Sequence, residues 1–244
     1  MSLFTDSGVV LRTYRLGEAD RIVVLLTEGH GKVRAVAKGV RRTSSKFGAR
    51  LEPTSHVRAL LWEGRGELDI VNQAEVIDHF PTLRADLGRL ARGLSLIEVA
   101  DQMAQERHPD PRLYAMLVGA LRVLDDRSRD PSLVAPAFFL KALALDGAEP
   151  VLDSCAACGA SAGQAPLVAF SGPDGGALCA NCRRGRPISE EALSLMRRIL
   201  GGTLGRLLAG APPEGSDEVA LVATEALEAH LDRRLRSVRS AAGM

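Results

Sequence analysis

All four cysteines of this chain lie within 28 positions, as Cys155-x-x-Cys158 and Cys179-x-x-Cys182, with 20 residues between the pairs. Two Cys-x-x-Cys knuckles at such a spacing can offer four thiolates to one tetrahedral Zn²⁺ ion. Four thiolates fill the coordination sphere, so a site of this kind stabilises a fold and does not activate water. We therefore predict one structural zinc ion held by Cys155, Cys158, Cys179 and Cys182.

Disulfides, free buried thiols and a redox pair are the alternatives for these cysteines. The first six residues lack the basic and apolar regions of a secretory signal, so we expect a cytoplasmic location, where disulfides are rare. A redox Cys-x-x-Cys normally occurs once, at the head of a helix. The segment 170–176 is typical of a strand end and tight turn, which would fold the second knuckle back onto the first.

The first 80 residues have the pattern of a small β-barrel. Five short segments are β-rich or alternate apolar with polar residues, and turn residues separate them. These segments are residues 8–14, 21–27, 32–38, 54–62 and 67–71. Five strands in so short a stretch favour an oligonucleotide-binding (OB) type barrel, with an SH3-like barrel as the alternative.

From Pro81 onward the apolar residues recur with the period of helices. One set at three- and four-residue steps predicts a single buried helical face, and consists of Leu83, Leu87, Leu90, Leu94 and Ile97. Near the carboxyl end, Ser189 and Ser216 precede acidic residues and are predicted as helix N-caps.

These patterns predict an α+β multidomain protein. We expect an OB-fold domain over 1–80, a helical domain over 81–150, a four-cysteine zinc module over 151–186, and C-terminal helices over 187–244 that pack on the helical domain. The chain is 46% apolar and 25% charged, as is usual for globular proteins. No apolar run approaches the ~18 residues of a membrane span, so no membrane partner is expected.

A strongly basic stretch lies between Gly29 and Leu51, where seven basic residues occur without an acidic one. They are Lys32, Arg34, Lys38, Arg41, Arg42, Lys46 and Arg50. The two-residue period of a strand places the first three on one face, opposite apolar residues that fill the barrel. Such a face, continued by a basic loop, predicts binding to a phosphate backbone. The alternatives are a solvated basic face or one that receives an acidic protein.

Aromatic side chains can add base stacking to such a surface. Phe47 is the predicted stacking residue because it lies within the basic loop, whereas Tyr14 and Trp62 are expected in the core.

The sequence gives little support for a catalytic function. The segment 29–32 lacks the spacing of a phosphate-binding loop, and no metalloprotease or nucleophile-elbow motif occurs. We therefore expect a protein that is not an enzyme.

Several segments, in this order, resemble those of the bacterial RecO family of recombination mediators. They are residues 8–12 (GVVLR), 18–22 (EADRI), 30–34 (HGKVR), 37–42 (AKGVRR), 51–53 (LEP), 74–75 (AE), 138–140 (FFL), 150–159 (PVLDSCAACG) and 230–237 (HLDRRLRS). The resemblance covers nearly the whole chain.

The resemblance implies an OB-fold domain, a helical body and a zinc site. It also implies binding to single- and double-stranded DNA, annealing of complementary strands, and work with RecR and single-strand-binding protein that indirectly assists RecA loading. The protein would then act in the cytoplasm with the nucleoid. An adaptor that binds acidic protein tails, or an RNA-binding accessory factor, remains the alternative.

Overall fold

The computed structural model describes residues 2–43, 45, 47–64 and 66–238. These residues fall into two compact units, one that ends at Asp125 and one that begins at Asp126. Each unit has its own set of packed elements.

The first unit begins with a closed five-stranded barrel, in the order β1-β2-β3-β5-β4. Its strands are β1 (Leu3–Leu16), β2 (Asp20–Thr27), β3 (Gly31–Ala37), β4 (His56–Trp62) and β5 (Asp69–Asp78). The long strand β1 closes the barrel because it pairs with β2 at one end and with β4 at the other. Among the described strands of the barrel, β3 and β5 pair in parallel and the other neighbours pair antiparallel. This confirms the predicted OB-type barrel.

Strict alternation on β3 explains how the barrel is filled. Val33, Ala35 and Ala37 are fully buried, while the residues between them are partly exposed. A short 3₁₀ helix, Gly48–Leu51, follows the basic loop and adds Leu51 to the same apolar core. The pleat of the strand therefore sends alternate side chains to opposite sides, as the sequence pattern predicts.

Three helices complete the first unit: α1 (Pro81–Ala85), α2 (Leu87–Met103) and α3 (Pro111–Asp125). Helix α1 ends before Asp86, and α2 begins after it. The carboxylate of Asp86 accepts a 2.8 Å hydrogen bond from the backbone N–H of Arg89. Asp86 is therefore the N-cap of α2, so α1 and α2 are separate helices and do not share one continuous face. The prediction of one buried face is therefore wrong in part: Leu83 is fully buried, but Leu87 is 72% exposed.

Polar contacts attach these helices to the barrel. His56 on β4 lies with its Nε2 2.8 Å from the hydroxyl oxygen of Tyr114 on α3, and its Nδ1 is 2.7 Å from Asp78. At the start of β3, the backbone N–H of Lys32 donates to the carbonyl oxygen of Gln105, and Arg107 N–H donates to that of Lys32. The segment after α2 is thereby hydrogen-bonded to the barrel.

The described part of the second unit contains packed helices and a small three-stranded sheet in the order β7-β6-β8. The strands are β6 (Leu167–Ser171), β7 (Gly176–Cys179) and β8 (Arg186–Pro187). The helices are α4 (Val134–Leu145), α5 (Glu190–Leu200), α6 (Leu204–Leu207) and α7 (Ser216–His230). Helix α4 is almost entirely apolar and packs against α5 and α7.

The two predicted N-caps have different outcomes. Ser189 caps α5, since its hydroxyl oxygen accepts a 3.2 Å hydrogen bond from the backbone N–H of Ala192. Ser216 is instead the first residue of α7, and Gly215 occupies the cap position with φ of 82°. The Ser216 prediction is therefore wrong: the serine lies inside the helix, and its hydroxyl donates to the backbone carbonyl oxygen of Pro213.

The chain divides into the two units between Asp125 and Asp126, and the four-part division stays a prediction. Helices α1, α2 and α3 lie with the barrel, and only α4 of the predicted helical domain lies in the second unit. Within the described ranges, none of the helices has the length and apolar character needed to cross a membrane.

Candidate nucleic-acid interface and metal centre

The basic residues predicted on β3 project from the outer face of the barrel, opposite the buried alanines and valine. Their surroundings differ, however. Lys32 is only 13% exposed, and its ammonium group donates a 2.8 Å hydrogen bond to the backbone carbonyl oxygen of Asp101 on α2. The expectation that Lys32 lies open to solvent is therefore wrong, because a helix covers that end of the strand.

Arg34 and Arg41 are each engaged in part. Arg34 lies 3.4 Å from a carboxylate oxygen of Glu67 and 3.9 Å from one of Glu106, with 32% of its side chain exposed. Arg41 is exposed, and its guanidinium donates a 2.8 Å hydrogen bond to the carbonyl oxygen of Glu18 in the β1–β2 turn. Both keep a charge at the surface, but each also holds a neighbouring loop.

The remaining basic positions lie after β3, in the loop that leads to the 3₁₀ helix and, for Arg50, in that helix itself. Lys38, Arg42 and Arg50 are exposed. In the part of the chain that the structure describes, no ion pair or hydrogen bond engages the side chain of Lys38 or Arg42. The predicted Lys46 lies outside the described residues. The basic side chains that have no partner among the described residues therefore lie in the loop after β3 and not on the strand.

Phe47 does not serve as a stacking platform in this structure. It is 1% exposed and belongs to the apolar core of the barrel, together with Leu51. The loop turns inward at this point, so the ring fills the barrel and has no open face for a base. The prediction of a stacking role for Phe47 is corrected accordingly.

The other two aromatic residues reverse their expected positions. Tyr14 is 42% exposed and Trp62 is 41% exposed, so neither is a core residue. The guanidinium of Arg12 lies 5.1 Å from the centre of the Tyr14 ring, which is within the range of a cation–π contact. Both residues have the parity of the outward-facing residues, which means that they lie at the alternate positions of their strands that face away from the core. This alternation is the signal in the sequence that would have placed them outside. Arg58 has the same parity on β4 and is exposed as well.

The four cysteines come together at the sheet of the second unit. Their sulfur atoms all lie within 4.8 Å of one another, and the Sγ atoms of Cys158 and Cys179 are 3.9 Å apart. A zinc ion with four Zn–S bonds of normal length would space its sulfurs about 3.8 Å apart. All four are free thiols in the structure. The donor set and its spacing thus fit a tetrahedral ion, and these residues could hold one.

Local structure explains why the knuckles meet. The first knuckle turns at Gly159, whose φ of 78° suits glycine, and its Cys155 N–H donates to the carbonyl oxygen of Ala160. The second follows β7 directly as the short 3₁₀ helix Ala180–Cys182. Arg197 on α5 steadies the approach to the first knuckle, because it donates to the carbonyl oxygen of Leu152 and the carboxylate of Asp153.

The thiols influence one another strongly. A hydrogen bond from the backbone N–H of Cys179, opposed by burial, lowers the pKa of Cys155 to about 6. Hydrogen bonding with the thiol of Cys158, and then with those of Cys179 and Cys155, raises the pKa of Cys182 to about 12. Four thiolates so close together repel one another unless a cation lies between them.

An OB-type barrel with an exposed basic loop, followed in the chain by helices and a four-cysteine cluster, is the architecture of a nucleic-acid-binding protein. Residues 1–80 match the family described as Recombination protein O N terminal, and residues 84–239 match Recombination protein O C terminal. The chain therefore belongs to the RecO family of recombination mediators. DNA binding and a role in DNA recombination and repair follow from this membership.

Proposed function

We propose that this protein anneals complementary single strands of DNA and, with RecR and single-strand-binding protein, assists the loading of RecA. The basic loop after β3 would hold the DNA backbone. Lys38, Arg41, Arg42 and Arg50 are exposed there, and Lys38 and Arg42 have no protein partner among the described residues. This loop is the observation that carries the proposal.

Annealing by such a surface requires no covalent chemistry. Two complementary strands are both polyanions, and one positive surface can neutralise segments of both while it raises their local concentration. Base pairing then supplies the free energy of the reaction. A protein that works in this way has no need of a catalytic residue, and it would act where the chromosomal DNA is, in the cytoplasm.

We also propose that one structural zinc ion is held by Cys155, Cys158, Cys179 and Cys182. When bound, zinc would neutralise the thiolates and fix the two knuckles against each other. The four cysteines leave no position for water or substrate on such an ion, so its contribution is to the stability of the second unit.

The charge of the loop is tested by fluorescence anisotropy of a labelled single strand over a series of salt concentrations. If about four phosphates are contacted, log K should fall against log[salt] with a slope of about −3. A Lys38→Glu/Arg42→Glu variant should bind more weakly and with a shallower slope. The control Arg198→Glu/Arg206→Glu makes the same change of charge at exposed positions in the second unit and should bind as the parent does.

The activity is tested with two complementary strands, each coated with single-strand-binding protein, whose pairing is followed by fluorescence. The parent protein and the control should accelerate pairing, and the loop variant should not. Equal acceleration by the loop variant would contradict the proposed interface. An RNA strand of equal length and an acidic peptide competitor separate this function from an RNA-binding factor and from an adaptor for acidic tails.

A further inference from the structure

A continuous row of apolar side chains runs around the outside of the barrel. Each member is the direct cross-strand partner of the next, in the registers β1–β4, β4–β5, β5–β3, β3–β2 and β2–β1. We call this row the outer belt, and it consists of Leu3, Trp62, Ile70, Val36, Ile22 and Tyr14.

The belt lies on the solvent side of the barrel. The residues that alternate with it, such as Leu61 on β4 and Ala35 on β3, are buried in the core. Leu3, Tyr14 and Trp62 are 46%, 42% and 41% exposed, and the other three members are partly exposed. Contiguous apolar surface of this kind can serve as a binding site.

Positive charge accompanies the belt on both sides along the strands. Arg34 lies two positions before Val36 on β3, and Lys38, the first residue after the strand, lies two positions after Val36. On β4, the exposed Arg58 has the same outward parity as Trp62. Arg12 lies over the ring of Tyr14 at the far end of the belt, although its guanidinium also pairs with Asp101. The chemistry of the surface is therefore that of stacking groups between cations.

We propose that the outer belt binds the unpaired bases of a single nucleic-acid strand by stacking, chiefly on Trp62 and Tyr14, while the flanking cations hold its phosphates. The inference rests on the proposed function, since it concerns the strand held at the barrel. It adds what the basic loop cannot supply, because charge alone binds duplex and single strand alike. Bases of a duplex are already stacked on one another, so the belt selects for single strands.

Trp62 is the sole tryptophan of the chain, so its emission reports directly on one end of the belt. Oligothymidylate of about 16 nucleotides, at the upper end of known site sizes, is titrated into the full-length protein with excitation selective for tryptophan. Stacked bases quench an indole on contact. The emission should fall with the same midpoint as the anisotropy of the labelled strand, and a duplex of equal length should leave it unchanged.

Substitutions give a second, independent measure. Trp62→Ala and Tyr14→Ala should each weaken single-strand binding about 5- to 150-fold, as expected for loss of one stacked base. The slope of log K against log[salt] should stay as in the parent, since no phosphate contact is lost. Trp62→Phe, which keeps an aromatic face, should recover most of the affinity. Leu87→Ala, at an exposed apolar position on α2, is the matched control and should bind normally.

The outcomes separate this inference from the proposed function. A parent protein that binds DNA while Trp62 emission is unchanged and the belt variants keep full affinity would overturn the belt and leave the basic loop standing. Absence of any DNA binding by the parent would overturn both. If Trp62→Ala alters sedimentation and leaves DNA affinity unchanged, the belt is a contact between copies of the chain, and the inference fails.

Discussion

The ammonium group of Lys32 on β3 donates a 2.8 Å hydrogen bond to the backbone carbonyl oxygen of Asp101 on α2, and it lies 3.6 Å from the carboxylate of the same residue. The guanidinium of Arg12 reaches that carboxylate from β1 at 3.0 Å. Two cations of the barrel thus neutralise one acid that is 6% exposed. This cluster fastens α2 to the barrel, so part of the basic row serves the fold.

Replacement of Lys32 by alanine should therefore lower stability and leave DNA affinity nearly unchanged. The variant removes a donor from a buried acceptor, which costs about 1–3 kcal/mol. Urea unfolding gives the free energy, and the salt dependence of strand binding gives the number of phosphate contacts. Lys38→Ala is the control and should do the reverse: unfolding within about 0.5 kcal/mol of the parent, but weaker binding. Similar effects of the two variants on both measures would refute this division of roles.

The features that could be predicted from the sequence are those set by residues close together in the chain. The alternation of Val33, Ala35 and Ala37 with basic residues reflects the two-residue period of a strand, and it gave the correct inner face. The two-residue spacing within each cysteine pair predicts that both thiols can bind the same metal ion. Each of these patterns is local, so no knowledge of distant packing was needed.

The features that were missed depend on contacts between distant residues. Lys32 and Asp101 are 69 positions apart, and nothing near Lys32 shows that a helix will cover it. Phe47 is buried because its loop turns into the barrel, which a run of basic neighbours does not indicate. Trp62 is hydrophobic, but its parity on β4 places it outside. Hydrophobicity alone therefore favoured the wrong face for Trp62, whereas the charge of neighbouring residues favoured the wrong face for Phe47.

Removal of the metal should affect the second unit and spare the barrel. A chelator should release one zinc per chain, measured by elemental analysis, and lower the unfolding temperature of the second unit by several degrees. Cys158→Ser should show the same lowered temperature without chelator, because one thiolate is lost. Ala157→Ser alters an exposed position of the same knuckle that is not a ligand, so it is the control. If neither the chelator nor Cys158→Ser changes the unfolding temperature, the result is inconsistent with a structural ion.

Acid should weaken the contact between α3 and the barrel through Asp78. Burial opposes ionisation of Asp78, but hydrogen bonds from His56 and Arg122 outweigh it and lower its pKa below the usual value of 3.8. An unfolded Asp78 takes up a proton before the folded one does. Its contribution to stability is therefore complete above about pH 5 and is lost as the pH falls through the lowered pKa.

Unfolding free energies measured from pH 5 down to about pH 2.5 test this contribution. Asp78→Asn cannot ionise, so its stability should depend less steeply on pH over that range. Glu75→Gln, at an exposed position of the same strand, leaves the cluster intact and should keep the steeper dependence. Burial also raises the pKa of Tyr114 to about 12, so the hydroxyl that faces His56 stays protonated throughout the range. If the unfolding free energies of Asp78→Asn and the parent change identically with pH below about pH 5, Asp78 does not contribute to the pH dependence of stability.

Two glycines of the barrel share a left-handed backbone and differ in their surroundings. Gly31 has φ of 68°, and a Cβ there would lie 2.2 Å from the carbonyl oxygen of His108. Gly17 has φ of 58°, with nothing within 4 Å of a Cβ. An alanine at Gly17 should therefore cost only the left-handed conformation, about 1–2 kcal/mol.

At Gly31 the same change must also displace the backbone at His108. That segment is held to β3 by hydrogen bonds between Lys32 and residues 105 and 107, so the displacement breaks contacts on both sides. We expect Gly31→Ala to cost more than about 3 kcal/mol in urea unfolding, well above Gly17→Ala. Equal costs would mean that conformation alone matters and that residues 104–108 are not packed on the strand. A larger cost at Gly31 identifies close backbone contact as the reason that only glycine fits at the start of β3.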